Sequence, residues 1–301
     1  MTGRAQIRLL PGGHRLHMND GPIDLIVEAF GAPSQVRAAY EAAGSRFATL
    51  LDELCSELRS LRRQAGTFAP NLKGRVARRM ANAVAPYALR TFITPMAAVA
   101  GAVAEEILET MTLAATLFRA YVNDGGDIAL HLAPGSRFVV GMVERPDRAS
   151  LFGTTTVGSG DPVRGIATSG WRGRSFSLGI ADAVTVLADR ASQADAAATI
   201  IANAVDLPGH PAIFRAPARS LDPDNDLGDL LVTQGVGELT TDDVTAALEA
   251  GAATARLLLS EGLIRAAALS LQGETRIVRC APETSLKTPQ SSRAHRSLVH
   301  A

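Results

Sequence analysis

The chain has 301 residues, of which 47% are hydrophobic and only 4% aromatic, so it is long enough for one large or two moderate globular domains. Thirty basic and thirty acidic residues give a formal net charge of zero, which argues against a nucleic-acid partner and against a basic helix on a membrane surface. Much of the apolar content is alanine, which is typical of helices that pack closely against sheets.

Neither targeting signals nor membrane spans are predicted. The N-terminal stretch has no long apolar run and no lipobox-like cysteine, so we expect a cytoplasmic protein. The longest apolar run, 95–118, is interrupted by Glu105, Glu106 and Glu109, which predicts a buried amphipathic helix and no membrane contact. Cys55 lies in a helical pattern far from Cys280, and we expect it to be buried and reduced.

The first elements are short strands at 5–10, 15–18 and 23–29, separated by a Pro-Gly-Gly turn and a Gly-Pro break. His17 and Asp24 belong to this region and have two interpretations. They are solvated polar residues of an edge hairpin, or they line a pocket as a polar contact or general base.

Helical patterns follow. Apolar residues at three- and four-residue steps predict a helix over 34–64, and a shorter helix carries Arg75, Arg78 and Arg79. These arginines form a solvated face or bind a phosphate or carboxylate. Thr94 and a proline then predict the start of another helix, whose small-residue face 97–104 admits either a flat ligand or a closely packed backbone.

A β-rich block occupies 119–157 and contains an Asn-Asp-Gly-Gly turn. Gly125 and Gly126 tolerate positive φ angles, so the turn is a plain hairpin or a place where a nucleotide lies against bare backbone. In the second case Asp127 would accept a hydrogen bond from a ring or a ribose.

The stretch 164–205 predicts a strand, a turn, a second strand and a helix. The turn Thr168-Ser169-Gly170 has backbone donors for an anion. At the start of the helix, Asp195 and Thr199 stand four residues apart and therefore project from one face. A local alternative is a capping box in which Ser192 is the N-cap and Asp195 the third helical residue.

The C-terminal part predicts a helix capped at Thr241-Asp242-Asp243 and a hairpin of strands over 264–271 and 275–280. The segment that follows is polar and has no period. We therefore expect one compact domain over 1–280 with two β-rich halves, and a disordered tail at 281–301.

Four segments carry a family resemblance in their order along the chain: 94–101, 122–129, 165–170 and 194–199. Together they resemble the ApbE-like superfamily of Mg²⁺-dependent flavin transferases. With Leu16-His17 and Gly21-Pro22-Ile23-Asp24 added, the chain is similar to the soluble, uncharacterised bacterial and archaeal branch of that superfamily, over most of 5–280. The resemblance implies an α+β fold of mixed, largely antiparallel sheets packed with Ala-rich helices.

The resemblance also implies a site. Asp195 and Thr199 would be Mg²⁺ ligands, in agreement with the preference of Mg²⁺ for oxygen donors shared with phosphates. FAD or FMN would be the second cofactor. The residues implied to border this ligand are Thr94, Gly125, Gly126, Asp127, Thr168, Ser169 and Gly170.

One departure limits the implied reaction. Flavin transferases carry a His-Ile-Ile-Asp-Pro-like segment whose histidine serves the chemistry, whereas the corresponding space 172–180 contains no histidine. This argues against transfer of FMN to a protein threonine. We therefore expect a protein that binds a flavin- or nucleotide-like molecule with Mg²⁺ and acts on it as a transferase or hydrolase.

Two alternatives remain open. The first is a non-catalytic flavin or nucleotide carrier. The second is a metal-independent enzyme of small heterocycle or carboxylic acid metabolism, with Asp127, His17 or Asp24 as the catalytic group. In each case the expected partner is a small molecule, with neither nucleic acid nor membrane, and a homo-oligomer is compatible with the sequence.

Overall fold

The computed structural model describes residues 4–66, 71–145 and 148–280, together with the short segments 286–287 and 299–300. Helices and mainly antiparallel strands alternate along the chain, which confirms the predicted α+β class. The chain divides into two compact units, each assembled from separate stretches. Unit 1 comprises Met1–Phe138, Val157–Ile166 and Asp189–Gln193, and unit 2 comprises Val139–Thr156, Ala167–Ala188 and Ala194–Ala301.

The sheet of unit 1 is built from β1 (Gln6–Leu9), β2 (Arg15–Asp20), β3 (Ile23–Phe30), β4 (Arg119–Asp124), β5 (Asp127–Leu132) and the start of β8 (Gly165–Ser169). Strands β1 to β5 pair antiparallel in sequence order, and Gly165 of β8 lies opposite Ala129 of β5. In β3, Ile23, Leu25 and Val27 are buried and alternate with half-buried residues. This period of two turns one face of the sheet towards the core.

The helices of unit 1 are α1 (Pro33–Leu61), α2 (Arg75–Val84) and α3 (Val99–Ala114), with 3₁₀ turns at Ala85–Tyr87 and Pro95–Ala98. Helices α1 and α3 pack against each other and against the sheet, and α2 packs on α3. Phe47 and Leu50 of α1 and Ile107 and Met111 of α3 are fully buried in the common core. The amphipathic pattern of these helices thus fixes the layer above the sheet.

Unit 2 takes up most of β6 (Arg137–Arg145) and β7 (Arg148–Gly158), the rest of β8, and all of β9 (Ala183–Ala188), β10 (Ile213–Pro217), β11 (Leu231–Val236), β12 (Ala266–Leu271) and β13 (Glu274–Arg279). Strands β9, β12 and β13 pair antiparallel, and β10 pairs with β11. Every residue of β9 and β12 is buried, in agreement with their largely apolar composition, in which Thr185 and Ser270 are the polar exceptions.

The helices that belong to unit 2 wholly or mostly are α4 (Ala191–Ala204), α5 (Ala218–Leu221) and α6 (Thr241–Ser260), and α6 packs on β12 and β13. Two short strands complete the unit. These are β14 (Leu286–Lys287), which pairs with β7, and β15 (Val299–His300), which pairs with β6.

The domain predictions are only partly covered by the described residues. A single domain over 1–280 stays a prediction, and the disorder expected for 281–301 concerns residues that, apart from β14 and β15, lie outside the described ranges. Among the described helices, none combines the length and the hydropathy needed to cross a membrane.

Cys55 corrects one prediction. The cysteine is exposed, as is Cys280, and both are free thiols. The expected burial of Cys55 was wrong because its neighbour Leu54 takes the buried position on α1, and successive residues of a helix point in directions about 100° apart.

Candidate functional site

A two-glycine turn joins β4 to β5, as predicted. Gly125 and Gly126 have φ angles of 63° and 119°, a region that residues with a Cβ rarely adopt. The Gly126 N–H donates to the Asn123 side-chain oxygen at 2.8 Å, which fixes the turn. Asp127 follows at the start of β5 and is half-buried. The turn therefore presents bare backbone, and its contact with a ligand stays a prediction.

His17 and Asp24 form a contact between neighbouring strands of unit 1. His17 Nε2 lies 2.5 Å from Asp24 Oδ1, and Arg8 Nε donates to His17 Nδ1 at 3.3 Å. Since Nδ1 accepts, Nε2 carries the proton that Asp24 accepts, an assignment made from the hydrogen bonds. Both ring nitrogens are thus engaged, whereas the Asp24 side chain is 48% exposed. Asp24 is the more accessible of the two acid–base candidates.

The structure brings this pair to the glycine turn. The Asp24 backbone nitrogen lies 3.5 Å from a carboxylate oxygen of Asp124, the residue that precedes Gly125. Asp24, near the start of β3, and the turn at the end of β4 are therefore neighbours, and His17 of β2 is linked to them through Asp24. A catalytic role for any of them stays a prediction.

Thr94 has a structural role. Its hydroxyl accepts the Met96 N–H at 3.2 Å and begins the 3₁₀ turn Pro95–Ala98, so the predicted helix start is confirmed. The side chain is buried, with 2% of its surface exposed. Contact between Thr94 and a ligand stays a prediction.

The turn that follows β8 is fixed in unit 2 by a carboxylate that the sequence did not single out. Asp182 accepts hydrogen bonds from the indole of Trp171 at 3.1 Å, from Arg172 at 2.6 Å and from the Gln272 backbone at 2.6 Å. A Cβ on Gly170 would lie 2.5 Å from the Asp182 carbonyl oxygen, so the two backbones are in close contact. Gln272, which donates its backbone N–H to Asp182, has a positive φ of 47°, an uncommon conformation for a residue with a Cβ.

The turn predicted at Thr168-Ser169-Gly170 begins later, because Thr168 and Ser169 are the last two residues of β8. Just after Gly170, the Trp171 N–H donates to the Ala181 carbonyl and the Gly173 N–H to the Gly170 carbonyl, so these two donors serve the fold. The Thr168 hydroxyl lies 2.9 Å from that of Thr185. Ser169 is half-buried. Ligand contact along Thr168-Ser169-Gly170 stays a prediction.

Asp195 and Thr199 lie on α4, and both are half-buried. Their four-residue spacing places a carboxylate and a hydroxyl on one helical face. Within the described ranges, no cluster of three or more His, Cys, Asp or Glu residues could hold a metal. An ion at Asp195 would therefore need the Thr199 hydroxyl, waters or ligand phosphates, which is the donor set that Mg²⁺ accepts. The metal site stays a prediction.

The start of α4 differs from the predicted capping box. The helix begins at Ala191, so Ser192 lies inside the first turn and is not the N-cap. The Ser192 N–H and hydroxyl both donate to Glu105 Oε1 of α3 at 2.8 Å. The Glu105 carboxylate of α3 thus accepts hydrogen bonds from the first turn of α4. Its negative charge is also favourable at the positive end of the helix dipole.

Unit 1 contains a cavity of about 410 Å³, and only some of its lining residues were singled out from the sequence. The predicted arginine trio of α2 lines one side of it, and Arg190 and Gln193, which the sequence reasoning missed, line another. More than 100 residues separate the two stretches, so no local pattern could have joined them. The lining residues are Arg75, Arg78, Arg79, Asn82, Ala83, Arg190, Ser192 and Gln193.

Two of these arginines, Arg75 and Arg79, belong to an ion-pair network around Glu106. Glu106 is fully buried; its Oε1 accepts from Arg46 at 2.8 Å and its Oε2 lies 3.6 Å from Arg79 and 3.7 Å from Arg75. Arg46 also forms two 2.8 Å bonds to Glu53. Burial would raise the pKa of Glu53, but the hydrogen bonds from Arg46 and Thr49 outweigh it and lower that pKa.

Comparison with known proteins identifies the family. The family model described as AbpE bacteria matches residues 7–277. The UPF0280 protein of Methanopyrus kandleri is 40% identical over 42% of this chain and 48% of its own length. The UPF0280 protein of Methanosphaerula palustris is 35% identical over 51% and 62%, respectively. The chain thus spans about half the length of the curated relatives it matches.

A solved structure is also similar. A mutant of the flavin transferase ApbE from Vibrio cholerae aligns over 89% of this chain and 97% of that chain, with 11% identity and a TM-score of 0.38. The family model itself covers nearly all of the described residues. The chain belongs to the AbpE bacteria family and is a member of the ApbE-like superfamily.

Proposed function

We propose that this chain binds a flavin- or nucleotide-like small molecule together with Mg²⁺ and acts on its phosphate as a transferase or hydrolase. The observation that carries the proposal is the pair Asp195 and Thr199, two half-buried oxygen donors on one face of α4. Membership of the ApbE-like superfamily supports it. A small-molecule partner and a cytoplasmic location are part of the same proposal.

The roles of the other residues follow from their chemistry. Bare backbone at Gly125 and Gly126 would seat the ligand, while Asp127 would accept a hydrogen bond from its ring or ribose. The exposed carboxylate of Asp24 would accept a proton. Mg²⁺ held by Asp195 and Thr199 would polarise a phosphoryl oxygen.

A second candidate is a non-catalytic carrier of the same ligand. The observation in its favour is the absence of histidine from 172–180, where flavin transferases keep theirs. Transfer of FMN to a protein threonine is not part of either proposal. The contact between His17 and Asp24 favours the third possibility, a metal-independent acid–base enzyme.

Incubation of the purified protein with FAD, with and without Mg²⁺, separates these functions. The hydrolase predicts release of FMN and AMP that depends on Mg²⁺, and the carrier predicts tight FAD binding without a product. Turnover that persists in a chelator would favour the metal-independent enzyme. Absence of any flavin or nucleotide binding would overturn both main proposals.

Thermal unfolding in the presence of Mg²⁺ tests the metal ligands directly. Because a ligand that binds only the folded state stabilises it, Mg²⁺ should raise the unfolding temperature of the wild type. Asp195→Ala and Thr199→Ala should abolish most of that rise. The matched control is Thr245→Ala, which removes an exposed threonine from α6 and should leave the Mg²⁺ response unchanged. Equal responses in all four proteins would rule out this site.

A further inference from the structure

We propose that the cavity lined by Arg75, Arg78, Arg79 and Arg190 is a binding site for the phosphoryl group of a small phosphorylated molecule. This proposed site goes beyond the function proposed above, because none of the residues assigned to that function belongs to it. The cavity belongs to unit 1 in its entirety. Its volume of about 410 Å³ lies in the range of small-molecule pockets, roughly 300–1,000 Å³, so it has room for more than a bare phosphate.

The described residues that line the cavity include four arginines and no acidic residue. Arg75 and Arg79 reach Glu109 at 3.1 and 2.6 Å, and Arg190 lies 3.6 Å from Glu105. Within the part of the chain that the structure describes, Arg78 has no acidic partner, and its side chain is exposed. Its charge is therefore free to meet an anion.

One of the cationic groups, Arg79, is held in place before any ligand arrives. Arg79 contacts Glu105 at 3.2 Å and Glu109 at 2.6 Å, and only 14% of its side chain is exposed. Glu105 also holds Ser192 at the start of α4. A donor that is already ordered loses little conformational entropy on binding, so this arrangement favours a specific anion over a diffuse counterion.

The donor set favours phosphate over carboxylate. Guanidinium groups form two parallel bonds to phosphate oxygens, and the side-chain amides of Asn82 and Gln193 add neutral donors on the same wall. Several separate donors suit a dianion with at least three free oxygens better than a carboxylate with two. The Ser192 N–H donates to Glu105, so the side chains, and not the end of the helix, would bind the anion.

Calorimetric titration with inorganic phosphate and pyrophosphate, without flavin or Mg²⁺ and at constant ionic strength, tests the proposal. Arg78→Gln removes an exposed side chain that has no ion pair with any described residue, so the variant should fold normally. We expect it to weaken pyrophosphate binding about tenfold, as loss of a charge-assisted contact does. Arg190→Gln should act in the same direction. The control Arg59→Gln removes an exposed arginine near the end of α1 and should leave the affinity unchanged.

Three results would overturn the proposal: no binding of either anion to the wild type, equal affinities in the wild type and Arg78→Gln, or acetate binding as tightly as phosphate. A further variant separates this site from the proposed function. Asp195→Ala should leave pyrophosphate binding unchanged in the absence of Mg²⁺. A wild type that binds pyrophosphate but no flavin or nucleotide would then count against the proposed function alone.

Discussion

Tyr40 shows how one side chain connects a helix to two strands. Its hydroxyl accepts the Ala29 N–H of β3 at 3.1 Å and donates to the His14 carbonyl just before β2. Burial raises the pKa of Tyr40, the bond from Ala29 partly opposes this, and the negative charge of Glu28 adds to it. Tyr121, which donates to Glu28, has its pKa raised by burial and by the same charge.

Tyr40 and Tyr121 should make the stability of the protein fall at alkaline pH. A raised tyrosine pKa means that the folded state favours the neutral phenol, so the stabilisation is fully present below the unfolded pKa of about 10. It should be lost as pH rises from there through the folded pKa. Urea unfolding of the wild type should therefore show falling stability above about pH 10.

Tyr40→Phe is the matched variant for that experiment. At neutral pH it should cost about 1 kcal/mol, because it removes the donor to His14 and the acceptor for Ala29. Its stability should fall less steeply at alkaline pH. Identical alkaline slopes for both proteins would show that Tyr40 does not contribute to the loss.

At the level of elements, the N-terminus of α6 has a complete capping box. Thr240 is the N-cap, one residue before the predicted position, and its hydroxyl accepts the Asp243 N–H at 3.2 Å. The Asp243 carboxylate accepts the Thr240 hydroxyl at 2.6 Å and the Thr240 N–H at 3.2 Å. These bonds lower the pKa of Asp243, with the hydroxyl of Thr240 as the largest cause.

Thr240→Ala should cost about 1 kcal/mol of stability at neutral pH. Because the Asp243 pKa is lowered in the folded state, its contribution is present above the unfolded pKa of about 3.9 and is lost as pH falls through the folded pKa. The difference between variant and wild type should therefore narrow below about pH 4, as measured by denaturant unfolding. A difference that stays constant down to lower pH would mean that the carboxylate adds nothing.

Gly101 of α3 explains the small-residue face of that helix. A Cβ there would lie 2.4 Å from the Ala191 carbonyl oxygen and 2.7 Å from the Ser192 nitrogen. At Gly101 the closely packed backbone is therefore confirmed over a flat ligand. The same stretch of backbone also packs against Gly165 of β8. A Cβ on Gly165 would lie 2.2 Å from the Ala191 nitrogen.

Gly101→Ala should destabilise the protein by about 1–3 kcal/mol, through overpacking against rigid backbone. Helix propensity alone predicts the opposite sign, a gain of about 1 kcal/mol. The matched control is Gly44→Ala in α1, where the nearest atom, 3.3 Å away, is the flexible end of Ile7. Chemical denaturation of both variants should show a loss for the first and no loss for the second. A gain in both would contradict the observed contact.

For the molecule as a whole, the sequence predicted what depends on local periodicity. The strand β3, the glycine turn between β4 and β5 and the helix start at Thr94 were predicted correctly because neighbours in the chain define them. The fold class followed from these elements and from the resemblance. The metal and ligand residues stay predictions, since no described contact tests their occupancy.

What the sequence could not supply were contacts between distant segments. Asp182 meets Trp171, Arg172 and Gln272, and nothing in its own surroundings marks it as their common acceptor. Glu105 looked like a charge that merely interrupts an apolar helix, yet it serves the end of α4. Both carboxylates satisfy donors that would be costly to leave unpaired in a buried setting.

The interleaving of the two units has a consequence for synthesis. The chain leaves unit 1 after Phe138 and supplies its last piece only at Asp189–Gln193. A ribosome that adds about 5–20 residues per second needs roughly 3–11 s to cover that interval. Until then Ala191, a fully buried member of the first core, is absent, and Gly101 lacks the backbone that covers it. The nascent unit 1 is thus an incomplete domain that depends on later translation, and chaperones would meet its open core at that time.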